Sequence, residues 1–241
     1  MERVVVRGLY KRFGKTKVLE GIDLTVGEGT VVAILGPNAS GKTTLIKCIL
    51  GLVVPNRGKI VVMGEDIRSG VEYRRYIGYM PQIAKFPENL TVRELLNLVK
   101  DVRDQPSKEE YYIDLFGLHP FLDRPLGVLS GGTRQKVNAT LAFMFGSDIL
   151  ILDEPTVGFD PVASTHFKDE VLRLKDEGRT VLFTSHIMGE VEEMADRVVF
   201  LLNGKIYFDG TPNEFKVKTG EKTLERAIAK LMKEARVEEG V

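Results

Sequence analysis

The 241-residue sequence predicts an α/β fold: a mainly parallel sheet with flanking helices, an antiparallel β edge and a helical subdomain. Three observations predict it. An apolar strand, Thr30 to Leu35, runs through a glycine-rich turn into a short helix. Two more unbroken apolar runs, Ile149 to Leu152 and Thr180 to Thr184, have the composition of parallel strands covered on both faces. From Thr91 the hydrophobic period changes to helical.

In chain order, residues 2–7 and 18–26 alternate apolar and polar, which reads as antiparallel β structure joined through Phe13-Gly14-Lys15-Thr16. Phe13 is placed on the connecting loop, where a ring can stack on a nucleobase or simply pack. Next, Gly36-Pro37-Asn38-Ala39-Ser40-Gly41-Lys42-Thr43-Thr44 matches G-x-x-x-x-G-K-[ST] between a strand and a helix closed by Gly51. That arrangement aims backbone N–H groups and the positive end of a helix dipole at one point, which suits a phosphate chain. Lys42 would reach the β- and γ-phosphates, and the Thr43 hydroxyl would ligate the accompanying Mg²⁺. The bland alternative is an ordinary strand-turn-helix connection.

Lys59 to Met63, entered through Pro55-Asn56-Arg57-Gly58, reads as another strand, and Tyr76 to Met80 as a short one that leaves Gln82 at its exit. Val92, Leu95, Leu96, Leu98 and Val99 form the apolar face of a helix, and a second helical stretch covers 108–116. Ser130 reads as the N-cap of a helix whose inner face is Val137, Thr140, Leu141, Met144 and Phe145. Gly131 and Gly132 at its mouth would let backbone amides approach an anion closely, although an ordinary helix cap uses the same residues. The run from Ile149 ends in Asp153-Glu154-Pro155, where a strand-end acid can hold Mg²⁺ and a second acid can orient or deprotonate a water. The run from Thr180 ends at Ser185-His186. His119, before a proline, and His166, on a mostly polar helix, read as structural or solvated, whereas His186 stands at a strand's carboxyl end, where α/β sheets bind ligands. Asn203-Gly204 signals a hairpin between Val198–Leu202 and Lys205–Phe208. Leu224, Ala227, Ile228 and Leu231 space a terminal helix docked on the body, with the closing residues EEGV frayed.

Composition narrows the function. Thirty-four basic residues balance thirty-four acidic ones, so the net charge offers no argument for nucleic acid or an anionic membrane surface as the main partner. The single cysteine, Cys48, excludes an intramolecular disulfide, reads as a core thiol and fits a reducing cytosol. No secretory stretch opens the sequence, and no apolar run approaches the roughly 18–20 residues that span a bilayer, so a membrane role needs a partner chain.

Together GPNASGKTT, YMPQ, LSGGTRQK, ILILDEPTVGFD and the histidine of TVLFTSH resemble, in order, the nucleotide-binding subunit of ATP-binding cassette (ABC) transporters, over residues 1 to about 215. The Ser-Gly-Gly motif separates that family from other phosphate-loop ATPases. The resemblance implies a phosphate-loop NTPase core and a set of roles. Phe13 would stack on adenine, Gly36 to Thr44 would hold phosphate, and Gln82 would approach Mg²⁺ and sense the membrane partner. Asp153 would hold Mg²⁺, Glu154 would be the general base, Asp160 the acid of the following loop, and His186 the γ-phosphate switch. Ser130, Gly131 and Gly132 would serve the ATP of an opposite subunit, a second copy or a paralogue. It further implies one ABC ATPase domain, with a core near 1–82 and 141–220, a helical subdomain near 83–140 and a terminal helix near 221–236. Such a subunit would close over two ATP molecules with Mg²⁺ and drive a separate membrane permease from the cytoplasmic face, with no nucleic acid involved. Residues 141–215 also resemble ATPases of exporters and of the copper-site maturation system for nitrous oxide reductase. Three positions depart from the family's habit: Ala39 for glycine, where a positive φ would be strained, Phe159 for leucine, and Phe13 for tyrosine.

The rival class is a soluble ABC ATPase acting on DNA or ribosomes. Chromosome-type members place a long coiled coil between phosphate loop and signature, whereas about 88 positions without sustained heptads separate Lys42 from Ser130. Translation-type members carry two cassettes, and this sequence carries one. A phosphate-loop kinase leaves Leu129 to Lys136 unexplained.

Overall fold

Alternation of buried and exposed residues builds the first strands. In the computed structural model, which describes residues 1–238, contacts divide the chain into two units, one made of Met1–Tyr73 and the chain from Thr184 onward, the other of Arg74–Phe183. In the first unit β1 (Glu2–Phe13) pairs antiparallel with β2 (Thr16–Gly27), setting Val4 opposite Val26, Val6 opposite Leu24 and Leu9 opposite Ile22, all buried. Phe13 is the last residue of β1, paired with Thr16, and not a loop residue as the sequence suggested. The backbone ladder continues past the apolar part of the hairpin because it needs no apolar side chains. Then come β3 (Val31–Leu35), buried at every residue, and α1 (Lys42–Ile49). Burial pushes the Cys48 thiol on α1 up to about 11, as suits a core residue. β4 (Arg57–Val62) joins the other edge of β1, and the two-residue β5 (Glu65–Asp66) completes an antiparallel sheet in the order β2-β1-β4-β5.

The second unit opens with β6 (Ile77–Met80). α2 (Val92–Arg103) starts in a capping box, with Thr91 and Glu94 each accepting the other's backbone N–H. Val92, Leu95 and Leu96 are buried on α2, but Leu98 is 47% exposed, because its angular position falls beyond the stripe those three define. α3 (Glu109–Leu115) precedes α4 (Gly131–Phe143), which is enclosed on more sides than an amphipathic reading allows. Val137, Thr140 and Met144 are buried as expected, but so are Gln135, Asn138, Ala139, Ala142 and Phe143, while Leu141 and Phe145 are only part-buried. β7 (Ile149–Asp153) runs parallel to β6 with Ile77 opposite Ile149 and Met80 opposite Leu152. α5 (Pro161–Asp176) leads to β8 (Thr180–Thr184), and these strands lie in the order β8-β7-β6.

Aromatic packing ties α3, α4 and α5 together. Phe143 contacts Tyr112, Phe116 and Phe167, and Phe159 packs 6.1 Å from Phe116 and 5.8 Å from Phe167, so this replacement serves packing. Each fully buried ring contributes about 1.5–3 kcal/mol. Beside them the buried Glu170 carboxylate accepts hydrogen bonds from Tyr111 (3.0 Å), Tyr112 (2.8 Å) and Arg173 (2.8 Å).

Back in the first unit, α6 (Met188–Met194) is followed by β9 (Arg197–Leu202), parallel to β3 and antiparallel to β10 (Lys205–Gly210). Asn203 and Gly204 join β9 and β10 at φ 46 and 74, the paired positive values of a type I′ turn. α7 (Pro212–Thr219) carries a second capping box, Thr211 with Glu214, and α8 (Leu224–Glu238) packs Leu224, Ala227 and Leu231 toward α7 and α6. Of the EEGV tail read as frayed, Glu238 ends α8, and residues 239–241 lie outside the described residues. Among the described residues no helix is long and apolar enough to cross a membrane.

Candidate functional site

The phosphate-loop motif occupies the link between β3 and α1. Gly36, Ala39 and Gly41 have φ of 149, 63 and 107, so the loop turns through backbone conformations that a side chain resists at all three positions. A Cβ on Gly36 would stand 2.0 Å from the Leu201 carbonyl oxygen, so this turn is closed by the neighbouring backbone and admits no other residue. Ala39, by contrast, meets the left-handed conformation with a methyl group, the strain anticipated for it, worth about 1–2 kcal/mol. Lys42 is buried, and its ammonium group donates to the Gly36 carbonyl at 2.7 Å and the Pro37 carbonyl at 3.0 Å, which centres the charge on the loop. Ser40 is buried with its hydroxyl oxygen lacking a hydrogen-bond partner, and Gly41, the N-cap of α1, offers no side-chain cap. A buried hydroxyl without a partner beside a centred lysine is a costly arrangement for empty protein and an apt one for a phosphate oxygen.

The same unit carries Phe13 and His186. Phe13 is half exposed, with the Lys11 ammonium 4.6 Å from its ring centroid. His186 is exposed in the turn after β8, and that turn is braced by Ser185, whose hydroxyl accepts from the Ile187 N–H at 3.0 Å and donates to the buried Glu190 carboxylate at 3.2 Å. The other two histidines have structural partners: His119 with Asp114, and His166 with the Leu115 carbonyl.

The second unit carries Gln82, Ser130 to Gly132, Asp153, Glu154 and Asp160. Gln82 is exposed just beyond β6. Asp153, the last residue of β7, and Glu154, the next, are both buried, and Glu154 holds φ 51 immediately before Pro155. Left-handed backbone at a glutamate is uncommon, and the following proline narrows the alternatives further. Burial first, and then the Asp153 carboxylate, push the Tyr79 phenol up to about 12, so it stays neutral beside that acid. Ser130 caps α4 through its hydroxyl, which accepts from the Thr133 N–H at 3.1 Å. The two glycines after it differ. A Cβ on Gly131 would meet open space, whereas one on Gly132 would stand 2.5 Å from the Gly158 carbonyl, so Gly132 is required by packing and Gly131 is the open one. Asp160 caps α5 by accepting from the Ala163 N–H at 2.9 Å and receives the Lys136 ammonium at 2.7 Å. The bonds from Lys136 and Ala163 hold its carboxyl down at about 2.

The profile of the ABC transporter family matches residues 19–157, more than half of the sequence. This chain belongs to the ABC transporter family. It is an ATP-binding, ATP-hydrolysing transporter subunit with the α/β phosphate-loop fold. The matched stretch contains the phosphate loop, Gln82, Ser130 to Gly132, Asp153 and Glu154, while Phe13, Asp160 and His186 lie outside it. The daunorubicin resistance ATP-binding protein DrrA3 of Streptomyces coeruleorubidus is 34% identical, aligned over 90% of this chain and 71% of its own. Nod factor export ATP-binding protein I of Burkholderia lata is 33% identical over 86% and 70% of the two chains. A solved structure described as the ATP-binding subunit of an ABC transporter superposes with a TM-score of 0.89 at 31% identity, covering 95% of this chain and 99% of that one. A subunit of this kind works with a membrane-embedded partner.

Gln135 and Asn138, both buried polar residues on α4, escaped the sequence reading. The sequence carries a signal for them: two amides one helical turn apart, on one side of a helix whose other inward residues are mostly apolar.

Proposed function

We propose that Gly36 to Thr44 bind the triphosphate of ATP, with Lys42 on the β- and γ-phosphates, and that the other assigned residues act on that nucleotide or on that of a second subunit. The buried Ser40 hydroxyl without a partner, beside the buried and centred Lys42, carries this reading. Phe13 stacks on adenine, His186 contacts the γ-phosphate, and Glu154 takes the proton of the attacking water. The Thr43 hydroxyl, the Gln82 amide oxygen and the Asp153 carboxylate are the hard oxygen donors that Mg²⁺ takes beside phosphate oxygens. Mg²⁺ held by such donors would neutralise charge that develops on the phosphates. Ser130 and Gly131 face the ATP of a second copy or a paralogous subunit, supported by the open space at Gly131, while Asp160 holds the loop between that mouth and α5. The residues near 83–140 act as the helical subdomain. Closure over two nucleotides drives a separate permease chain from the cytoplasmic face of the membrane.

Direct titration tests the central part. Lys42→Ala removes the charge aimed at the phosphates and should weaken ATP binding by tenfold or more, in keeping with about 1.5–3 kcal/mol for a charged hydrogen bond. Unchanged affinity would refute it. For the shared mouth, Ser130→Arg should abolish ATP-dependent dimerisation in light scattering and leave monomer ATP binding intact.

A further inference from the structure

The turn that presents Glu154 has a weak point in its backbone. Pro155 has no N–H, so its carbonyl is the one backbone group through which that residue can be fastened. The carbonyl accepts from the Gln135 side-chain amide at 3.1 Å, deep inside the second unit. The Gln135 amide oxygen accepts in turn from Asn138 at 3.3 Å, and the same Asn138 nitrogen donates to the Pro81 carbonyl at 2.9 Å. Pro81 and Pro155 follow the ends of the parallel neighbours β6 and β7, where Met80 lies opposite Leu152. One turn of α4 therefore grips the exits of two strands, the first beside Gln82 and the second beside Glu154. Two further contacts hold the same helix to the same loop, Gly132 against the Gly158 carbonyl and Lys136 against Asp160.

We infer that the Gln135–Asn138 amide pair is a positioning device for hydrolysis: it holds the strained Glu154 turn in its working geometry and locks that turn to the Gln82 exit. Both amides are spent on the Pro155 and Pro81 carbonyls and on each other, so the pair acts through the backbone. The inference rests on Glu154 serving as the base. A strained residue keeps its conformation when its surroundings over-determine it, and at φ 51 before a proline the grip on Pro155 adds to the Val157 N–H bond to the Glu154 carbonyl (3.4 Å) in holding this one. The pair also makes α4 and the loop from Glu154 to Asp160 move as one body.

The test is a kinetic split. Gln135→Met keeps length and helix preference but leaves the Pro155 carbonyl without its donor. It should lower kcat about tenfold or more, since misplacement of a reacting group by about 1 Å can cost a hundredfold, while ATP affinity stays within twofold of the parent. Asn138→Ala cuts the Pro81 link and leaves the Pro155 bond, so its loss in kcat should be smaller. Tyr112→Phe is the stability control: it removes a buried hydrogen bond in the same unit, at Glu170, and should lower the melting temperature with kcat unchanged. Should Gln135→Met not fold, Asn138→Ala against Tyr112→Phe decides the question by itself. A kcat within twofold of the parent in whichever of the two amide variants is decisive, or a loss matched by Tyr112→Phe at equal melting temperature, overturns the inference. Glu154→Gln in the same series separates the two ideas: if it retains turnover, the base assignment fails, and if it is inactive while the amide variants are normal, the positioning role alone fails.

Discussion

Replacing each signature glycine by alanine should have opposite consequences, although the residues are adjacent. At Gly132 the new methyl would stand 2.5 Å from the Gly158 carbonyl oxygen, against the 3.0 Å that real Cβ atoms essentially never undercut. Both partners are backbone, so no rotamer change relieves the contact, and α4 must part from the loop by about half an ångström or more. Overpacking of this kind costs about 1–3 kcal/mol, and in a chain of this length each kcal/mol moves the melting temperature by about 2–4 °C. Gly132→Ala should therefore melt about 6 °C below the parent. At Gly131 nothing lies within 4 Å, and alanine in place of glycine at the start of a helix is worth up to about 1 kcal/mol, so Gly131→Ala should melt at or slightly above the parent temperature. Thermal unfolding of the two variants side by side decides it. If Gly132→Ala is as stable as Gly131→Ala, the argument that packing demands the second glycine is wrong.

Glu154→Gln should bind ATP with parental affinity and lose nearly all turnover, and ATP but not ADP should shift it from monomer to dimer in light scattering. The Asp160 carboxyl is depressed to about 2 from 3.8, so what it adds to stability is complete above pH 4 and drains away as the pH falls from there through 2; Lys136→Met should raise its midpoint toward 3.8 in a carboxyl-detected NMR titration. Ala39→Gly removes left-handed strain of about 1–2 kcal/mol and adds about 0.5–1 kcal/mol of unfolded-state freedom, so its melting temperature should equal or slightly exceed the parent's, and a clear fall would show that the methyl group packs usefully.

Long periodic or unbroken segments were legible in the sequence, and short or enclosed ones were not. The hairpin at Asn203-Gly204, the buried runs of β3, β7 and β8 and the Thr91 helix all declare themselves through periodicity and turn chemistry. α6 and α7 span seven and eight residues, too few for a helical period to emerge, although Thr211-Pro212-Asn213-Glu214 spells out a helix start. α4 defeated its apolar-face reading because its buried surface is partly polar, and two side chains there satisfy carbonyls that no sequence pattern can display. The residues proposed to carry the chemistry stand out in the sequence because their types and spacing are those that a phosphate chain and its metal would demand. The residues that hold them answer to backbone geometry instead.

That division shows in the strained backbone. Five residues other than glycine have positive φ among the described residues: Ala39, Met63, Asp104, Glu154 and Asn203. Asp104 ends α2 and Asn203 opens a two-residue hairpin, and both are side chains that tolerate the left-handed region; Met63 pairs with Gly64 in the tight turn between β4 and β5. Ala39 and Glu154 have no such excuse, and these two stand in the phosphate loop and beside the strand-end acid. Strain at those places persists because neighbours hold it: the Leu201 carbonyl closing the turn at Gly36, the Lys42 ammonium drawn onto the loop carbonyls, and the Gln135 amide fastened to Pro155. Loosening a holder should therefore cost activity before it costs the fold, because the strained residue relaxes locally while the buried strands beside it keep their packing.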